Sequence, residues 1–428
     1  MAGIGEAFDG IPMTESTPLH AVEAIVGQGL CMGCGLCQSI AGPDRIRMVM
    51  SGEGGERPVV RAPLDDATLR AINNACPGIR AEGFAPPAGE EMPAIDTIWG
   101  PTRFMAIGHA SDPATRFHAS SSGALSALAI HLLATKQVDF ILHVAASETQ
   151  PLRSARQLSF DAAQVMAASG SRYGPAAPLV DFKEVLDRGR PFAFIGKPCD
   201  ITAIRNYAAL DERVDRLLRY TLNFYCGGVS EFGKTLAYVR KIGRTEPDIA
   251  TLRYRGDGCP GAMVMTTRDG ATHRFSYNEM WEDEQRWQLQ FRCKICPDSL
   301  GELADISVAD VWPGGKPITD EIGFNGFIAR TERGLALLDD AVASGAVTLT
   351  EGLDYDGLAL AQGSHMRKKQ GLTARYAAMG DAGMITPSVR GLRLDEAAGM
   401  IGADERAVNY EGMRQRLLAG DNRETLPE

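Results

Sequence analysis

Cys31, Cys34 and Cys37 stand at two-residue spacing in the run Cys31-Met-Gly-Cys34-Gly-Leu-Cys37, and a further Cys76 directly precedes Pro77. Three thiolates on one tight turn can take three corners of a 4Fe-4S cubane, and a distant cysteine before proline is the usual source of the fourth. In ferredoxins with two clusters the triad recurs and each Cys-Pro serves the other cluster. Here one triad stands with one Cys-Pro, so a self-contained site within about the first 80 residues is expected. Gly33 and Gly35 suit a chain that wraps closely around a cluster, because only glycine enters left-handed conformations freely. Zinc also uses C-x2-C spacing, but normally in paired units and not as three equal steps plus Cys-Pro.

Five cysteines remain: Cys199, Cys226, Cys259, Cys293 and Cys296. Cys293-Lys-Ile-Cys296 can bind one metal from a single turn, and two single cysteines on neighbouring loops would complete a second set of four. Cys199 and Cys226 are chosen because each follows a strand-like run, and ligands gather at the carboxyl ends of strands in an α/β sheet. Cys259 competes, since it too lies in a Gly-rich loop. On spacing alone, a second cluster, structural zinc and free thiols all stay open.

The elements that must position these residues read as follows. Pro18 to Leu30 predicts a helix delivering Cys31, after an irregular lead-in over residues 1–17. Residues 44–62 predict two short strands around a Gly-rich turn, and Asp65 to Asn74 a helix delivering Cys76. This gives a small ferredoxin-like module over residues 1–81. Residues 82–103 are dense in proline and glycine and read as a linker without regular elements. From residue 104 to 333, apolar runs alternate with helical stretches, which predicts an α/β domain. Its strands are expected at Met105–Ala110, Val138–Val144, Pro191–Gly196, Leu218–Tyr225, Ala304–Val311 and Gly326–Arg330. Helices are expected at Ala124–Ala134, Asp181–Arg188, Ile201–Ala209 and Glu231–Ile242. Residues 334–428 read as a supporting, largely helical region. The basic cluster His365-Met-Arg-Lys-Lys369 within it is more readily a solvated face than a contact for a phosphate or an acidic partner.

A chain of 428 residues with 44% hydrophobic and 23% charged content is globular and long enough for two or three domains. Net charge is -10, which argues against a nucleic-acid footprint. No apolar run approaches a membrane span, and the N-terminus lacks a basic region followed by an apolar stretch. With nine cysteines, an odd number, thiolates used as ligands in a reducing, cytoplasmic setting are expected over disulfides.

The segments SSSGALSALAIHLL, GSRYG, FAFIGKPCDITAIRN, FYCGG, YRGDGCPG, CKICPD, ADISVADVW and GFNGFIARTERG occur in this order from Ser120 to Gly334, within a likeness that runs from about Cys31 to Arg333. Together they resemble the coenzyme F420 hydrogenase and dehydrogenase beta subunits, a family that includes 7-hydroxymethyl chlorophyll a reductase and ferredoxin-dependent divinyl chlorophyllide reductases. The resemblance implies a flavin- and iron-sulfur-dependent oxidoreductase. Electrons would pass from ferredoxin or a similar donor through two 4Fe-4S clusters to FAD in the α/β domain, and on to a small organic substrate. It equally allows an electron-transfer subunit that exchanges electrons with a deazaflavin or nicotinamide coenzyme for a separate catalytic partner. Carried over by position, Ser121, Ser122 and Gly123 match a Ser-Gly-Gly-like flavin loop, with Ala124 departing from its second glycine. Lys197, Asn223, Arg255 and Gly256 lie in matching loops as candidate flavin contacts, and His109 and Tyr173 are candidate proton donors. A lone histidine is more often a satisfied structural residue.

Overall fold

The computed structural model describes residues 19–86, 89–281, 289–315 and 322–427. The lead-in expected over residues 1–17, together with Pro18, lies outside these residues.

The first module is built from short elements. The helix expected from Pro18 to Leu30 is one of six residues, Val22–Gly27, and the chain then turns through Gly29 at φ 69°. A second short helix, Leu36–Ala41, starts from Gly35 in the left-handed region and carries Cys37. Strands β1 (Ile46–Met50) and β2 (Glu56–Val60) form an antiparallel hairpin. The helix Asp66–Ala75 is capped by the Asp65 carboxylate, which accepts from the Thr68 N–H at 2.8 Å, and it ends at Cys76.

The breaker-rich stretch 82–103 is not devoid of regular structure. Strand β3 (Arg80–Glu82) reaches its start, and β4 (Ala94–Asp96) pairs with β5 (Gly100–Thr102). The turn between them is closed by the Asp96 carboxylate, which accepts from the Ile98 and Trp99 N–H groups at 2.8 Å. Glycine and proline here set a turn and an edge strand; they do not exclude strands.

The main sheet holds β6 (Phe104–Ala110), β7 (Phe140–Ala146), β8 (Ser154–Ser159), β9 (Phe192–Gly196), β10 (Leu218–Phe224), β14 (Ile306–Val311), β15 (Phe324–Ala329) and β16 (Val347–Gly352). Between β10 and β14 the chain forms a separate antiparallel sheet of β11 (Ile249–Arg253), β12 (Met263–Thr267) and β13 (Thr272–Phe275). Strands β12 and β13 turn back on each other around Gly270.

The order of the main sheet is β16-β6-β15-β14-β10-β9-β7-β8. Pairings β7/β9, β9/β10 and β10/β14 are parallel, while β15 is antiparallel to both β14 and β6, so β6 runs in the same direction as these four. Five strands therefore end along one carboxyl edge. Both faces are covered, as a parallel core requires. Phe140, Leu142, Phe192 and Phe194 pack on one side with the helix Pro198–Ala208 and with Met32, Cys34 and Leu36 of the first module. Ile141 and Ala193, one residue out of phase, pack on the other side with the helices Ala124–Ala134 and Glu332–Ala343.

The C-terminal region contributes β16 at a sheet edge, and β17 (Ser388–Arg390) pairs in parallel with β3. Among the described residues no helix is long and apolar enough to cross a membrane.

Candidate functional site: two thiol-lined cavities and a carboxyl-edge cluster

Cys31, Cys34, Cys37 and Cys76 line one cavity, with Val22, Ile25, Ile40, Met48 and Ile72 among its apolar walls. Its geometry depends on glycine. Gly33 (φ 76°) and Gly35 (φ 87°) are in the left-handed region, where a Cβ on Gly33 would lie 2.6 Å from the Glu56 carbonyl oxygen and one on Gly35 2.9 Å from the Val180 nitrogen. The freed Gly33 N–H donates to the Cys31 sulfur at 3.4 Å. Burial pushes all four thiols up, Cys76 to about 11, so ionising them together calls for a compensating cation.

Cys199, Cys226, Cys293 and Cys296 line a second cavity. Cys199 opens the helix after β9, Cys226 follows β10, and Cys293 lies in the short helix Phe291–Lys294 with Cys296 just beyond it. The Val229 N–H donates to the Cys293 sulfur at 3.4 Å. Three cationic side chains, Lys197, Arg292 and Lys368, line this cavity, whereas none lines the first. Burial pushes Cys226 up to about 12, and Lys368 and Lys197 partly oppose the shift. Cys259 is not in this cavity. It is buried beside Gly323, whose Cβ position lies 2.6 Å from its sulfur.

The two cavities adjoin, because Met32 lines both. Arg292 of the second donates to the Pro77 carbonyl, in the wall of the first, at 2.7 Å. Among the described residues no three His, Cys, Asp or Glu side chains converge closely enough to share a single metal ion. Each quartet instead offers soft thiol donors around the walls of a space, a donor set that suits an iron-sulfur cluster.

The flavin candidates divide. Ser121, Ser122, Gly123, Arg255 and Gly256 come together at the carboxyl edge. The hydroxyl of Ser121, which sits at φ 57°, donates to the Asp310 carboxylate. Ser122 donates to Asn325 Oδ1 at 2.6 Å. Arg255 is buried and donates to Asp310 at 2.8 Å, the Ser121 oxygen at 3.0 Å and the Pro260 carbonyl at 2.8 Å. Its guanidinium lies 5.0 Å from the ring centroid of Tyr277 and 5.6 Å from that of Trp312. Burial opposes its charge, but Asp310 outweighs that and holds the group well above its ordinary value. Gly256 is at φ 115°, with the His118 carbonyl oxygen 2.4 Å from where a Cβ would stand.

Tyr173 belongs to this group: its ring meets Tyr254 and Trp281 edge-on, and it faces Arg255 and Asp310. His109 is at the end of β6 with Nδ1 2.8 Å from the Ala110 carbonyl and its ring edge against Phe324. Lys197 does not join this group. It is half-buried, in an ion pair with the buried Asp200 at 2.7 Å on the second cavity. Asn223 is fully buried and donates to the Phe224 and Leu300 carbonyls, a strand-end role.

The basic cluster at 365–369 is not a solvated face. His365 is buried with Nδ1 2.7 Å from the Ser299 hydroxyl, Lys369 is buried against Glu302 at 2.7 Å, and Lys368 lines the second cavity. Sequence reasoning also passed over Asp310, Asn325, Arg57 and Arg292. Asp310, near the end of β14, carried the one available signal: a carboxylate at the carboxyl edge of a parallel strand.

Residues 105–183 match the N-terminal part, and residues 189–354 the C-terminal part, of the coenzyme F420 hydrogenase/dehydrogenase beta subunit family. The first quartet lies outside both matches. An uncharacterized protein of Methanocaldococcus jannaschii is 20% identical over 357 residues, covering 77% of this chain and 91% of that one. The coenzyme F420 hydrogenase subunit beta of Methanococcus voltae is 25% identical over 266 residues, 59% of this chain and 86% of that one. The fold resembles a chain of the F420-reducing [NiFe] hydrogenase complex from Methanosarcina barkeri, with a TM-score of 0.52 at 18% identity over 66% of this chain and 96% of that one. Matched over more than half its length, the chain belongs to the coenzyme F420 hydrogenase/dehydrogenase beta subunit family, and its role is a redox one.

Proposed function

We propose that the protein is a flavin- and iron-sulfur-dependent oxidoreductase taking electrons from ferredoxin or a similar cytoplasmic donor and delivering them to a small organic substrate. The observation that supports this reading best is the arrangement of eight thiols as two adjoining quartets beside the carboxyl edge of a doubly covered sheet. Cys31, Cys34, Cys37 and Cys76 would hold one 4Fe-4S cluster, and Cys199, Cys226, Cys293 and Cys296 the other. A bound flavin, FAD in this reading, supplies the exchange between single electrons and hydride.

Within this reading Ser121, Ser122 and Gly123 lead into the eleven-residue helix Ala124–Ala134, whose first turn would receive a phosphate, while the Ser122 and Gly123 N–H groups are held by Asn325 Oδ1 and the Ser120 carbonyl. Arg255, fixed by Asp310, supplies a positive charge between the Tyr277 and Trp312 rings. Tyr173, whose hydroxyl is kept protonated by burial, is the candidate proton donor. His109 is the weaker one, because its Nδ1 is engaged with the main chain.

A second reading is favoured by the relative named as a hydrogenase beta subunit: an electron-transfer subunit that serves a deazaflavin coenzyme and a separate catalytic partner. Anaerobic purification followed by iron, sulfide and flavin analysis tests what both share. About eight irons and one flavin per chain are expected, and a colourless chain would refute both. Turnover of a substrate by the isolated chain with reduced ferredoxin separates the first reading from the second.

A further inference from the structure

The side chain of Arg57 is 2% exposed and is held by the C-terminal segment, by its neighbour in β2 and by Gln290. It donates to Glu424 through Nε and, at 2.7 Å, through Nη2. Its Nη1 donates to the Glu56 carbonyl at 2.9 Å and to Gln290 Oε1 at 3.3 Å.

The contacts to Glu56 and Gln290 each lead to a thiol. The Glu56 carbonyl is the group against which Gly33 closes, and the Gly33 N–H rests on the Cys31 sulfur. The Gln290 N–H donates to the Val229 carbonyl, and the Val229 N–H rests on the Cys293 sulfur. Cys31 and Cys293, when ionised, would both favour the charge on the guanidinium. A Cβ on Gly55 would lie 2.6 Å from the guanidinium carbon, so the fork is confined on that side too.

We propose that Arg57, oriented and partly neutralised by Glu424 from the C-terminal segment, is a fixed positive charge shared by the two cavities that raises the reduction potential of the centre in each. The inference rests on the iron-sulfur reading above. A reduced cluster carries one more negative charge than an oxidised one, so a nearby buried cation favours the reduced form. Glu424 sets the net field. Arg57 is a positioning and tuning residue and touches no reacting atom.

The test is an EPR-monitored redox titration of the anaerobically purified full chain, with iron counted in each sample. Arg57→Gln should lower both midpoint potentials by about tenfold in the reduction equilibrium, about 59 mV for one electron. Glu424→Gln should raise both by a similar factor. Arg57→Lys, which keeps the charge and loses the fork, should return both close to wild type. A merely structural role would cost iron or stability without opposite shifts from the two partners. Should Arg57→Gln fail to fold, Glu424→Gln alone decides. Full iron with unmoved potentials, or movement at one centre only, overturns the shared charge, whereas wild-type protein without iron overturns the reading beneath it.

Discussion

Replacing Cys296 by alanine should halve the iron, and replacing Cys259 by alanine should leave it whole. The magnitude comes from the two cavities: four thiols on each give about eight irons and eight sulfides in a fully loaded chain, four of each per site. Cys296 lines the second cavity and not the first, so its loss should leave about four irons bound by Cys31, Cys34, Cys37 and Cys76. Alanine is the better probe than serine, because a serine oxygen can remain a ligand. Cys259 is 4% exposed and lines neither cavity. Its truncation leaves a small void worth about 1 kcal/mol, or about 2 °C of Tm, which does not threaten the fold. Serine there would bury a hydroxyl at a cost of about 1–3 kcal/mol and confuse the comparison. The assay is colorimetric iron and sulfide on anaerobic protein, with EPR of the dithionite-reduced sample. Four irons in Cys259→Ala together with eight in Cys296→Ala would refute the quartet and place Cys259 among the ligands.

Three further outcomes are expected. Arg255→Lys keeps a charge near Asp310 but cannot hold Ser121, Asp310 and the Pro260 carbonyl at once, so flavin content after gel filtration should fall at least about tenfold; unchanged flavin would remove Arg255 from that site. Lys369→Met leaves the fully buried Glu302 carboxylate with Arg393 alone, and urea unfolding should show a loss of about 3 kcal/mol, the lower end for a broken buried pair. Burial lowers His143 to about 4, so the folded chain stays neutral there while the unfolded chain takes up a proton near pH 6.5. The unfolded state binds more protons in between, so the stability contributed is full above pH 6.5 and is lost on acidification towards pH 4, at about 1.4 kcal/mol per unit. That slope should be absent in the unfolding free energy of His143→Gln.

What could be read from the sequence was local. The Cys31–Cys37 turn needs only ligand spacing and two glycines, and the parallel strands announce themselves as short apolar runs. The placing of Cys199 and Cys226 on one cavity follows from topology, since β9 and β10 are neighbours and each delivers a cysteine at the same edge. What could not be read depends on partners far away in the chain. His365 and Lys369 look solvated until Ser299 and Glu302, more than sixty residues earlier, are placed beside them. The β4–β5 ribbon is hidden because the residues that punctuate it are also those of a linker. Arg57 gives no signal, as its carboxylate partner is 367 residues away.

That last separation is one case of a wider arrangement. Arg330, fully buried, donates to the Trp99 and Pro101 carbonyls on the ribbon, to the Leu300 carbonyl and to the Ser307 hydroxyl of β14. Glu302 binds Lys369 and Arg393 from the C-terminal region, and Glu424 binds Arg57 in the first module. Buried charges of this kind add little net stability, because desolvation offsets much of the Coulomb gain, but each is costly to leave unpaired. Their effect is therefore to forbid alternative placements of the segments that carry them. Two of the segments so fixed border the cavities: Arg57 precedes Pro58 in the wall of the first, and Lys369 follows Lys368 in the wall of the second. In the iron-sulfur reading proposed above, the pairs Arg57–Glu424, Lys369–Glu302 and Arg393–Glu302 would tie the C-terminal region to the elements around both quartets, and their worth would lie in a fixed spacing more than in stability.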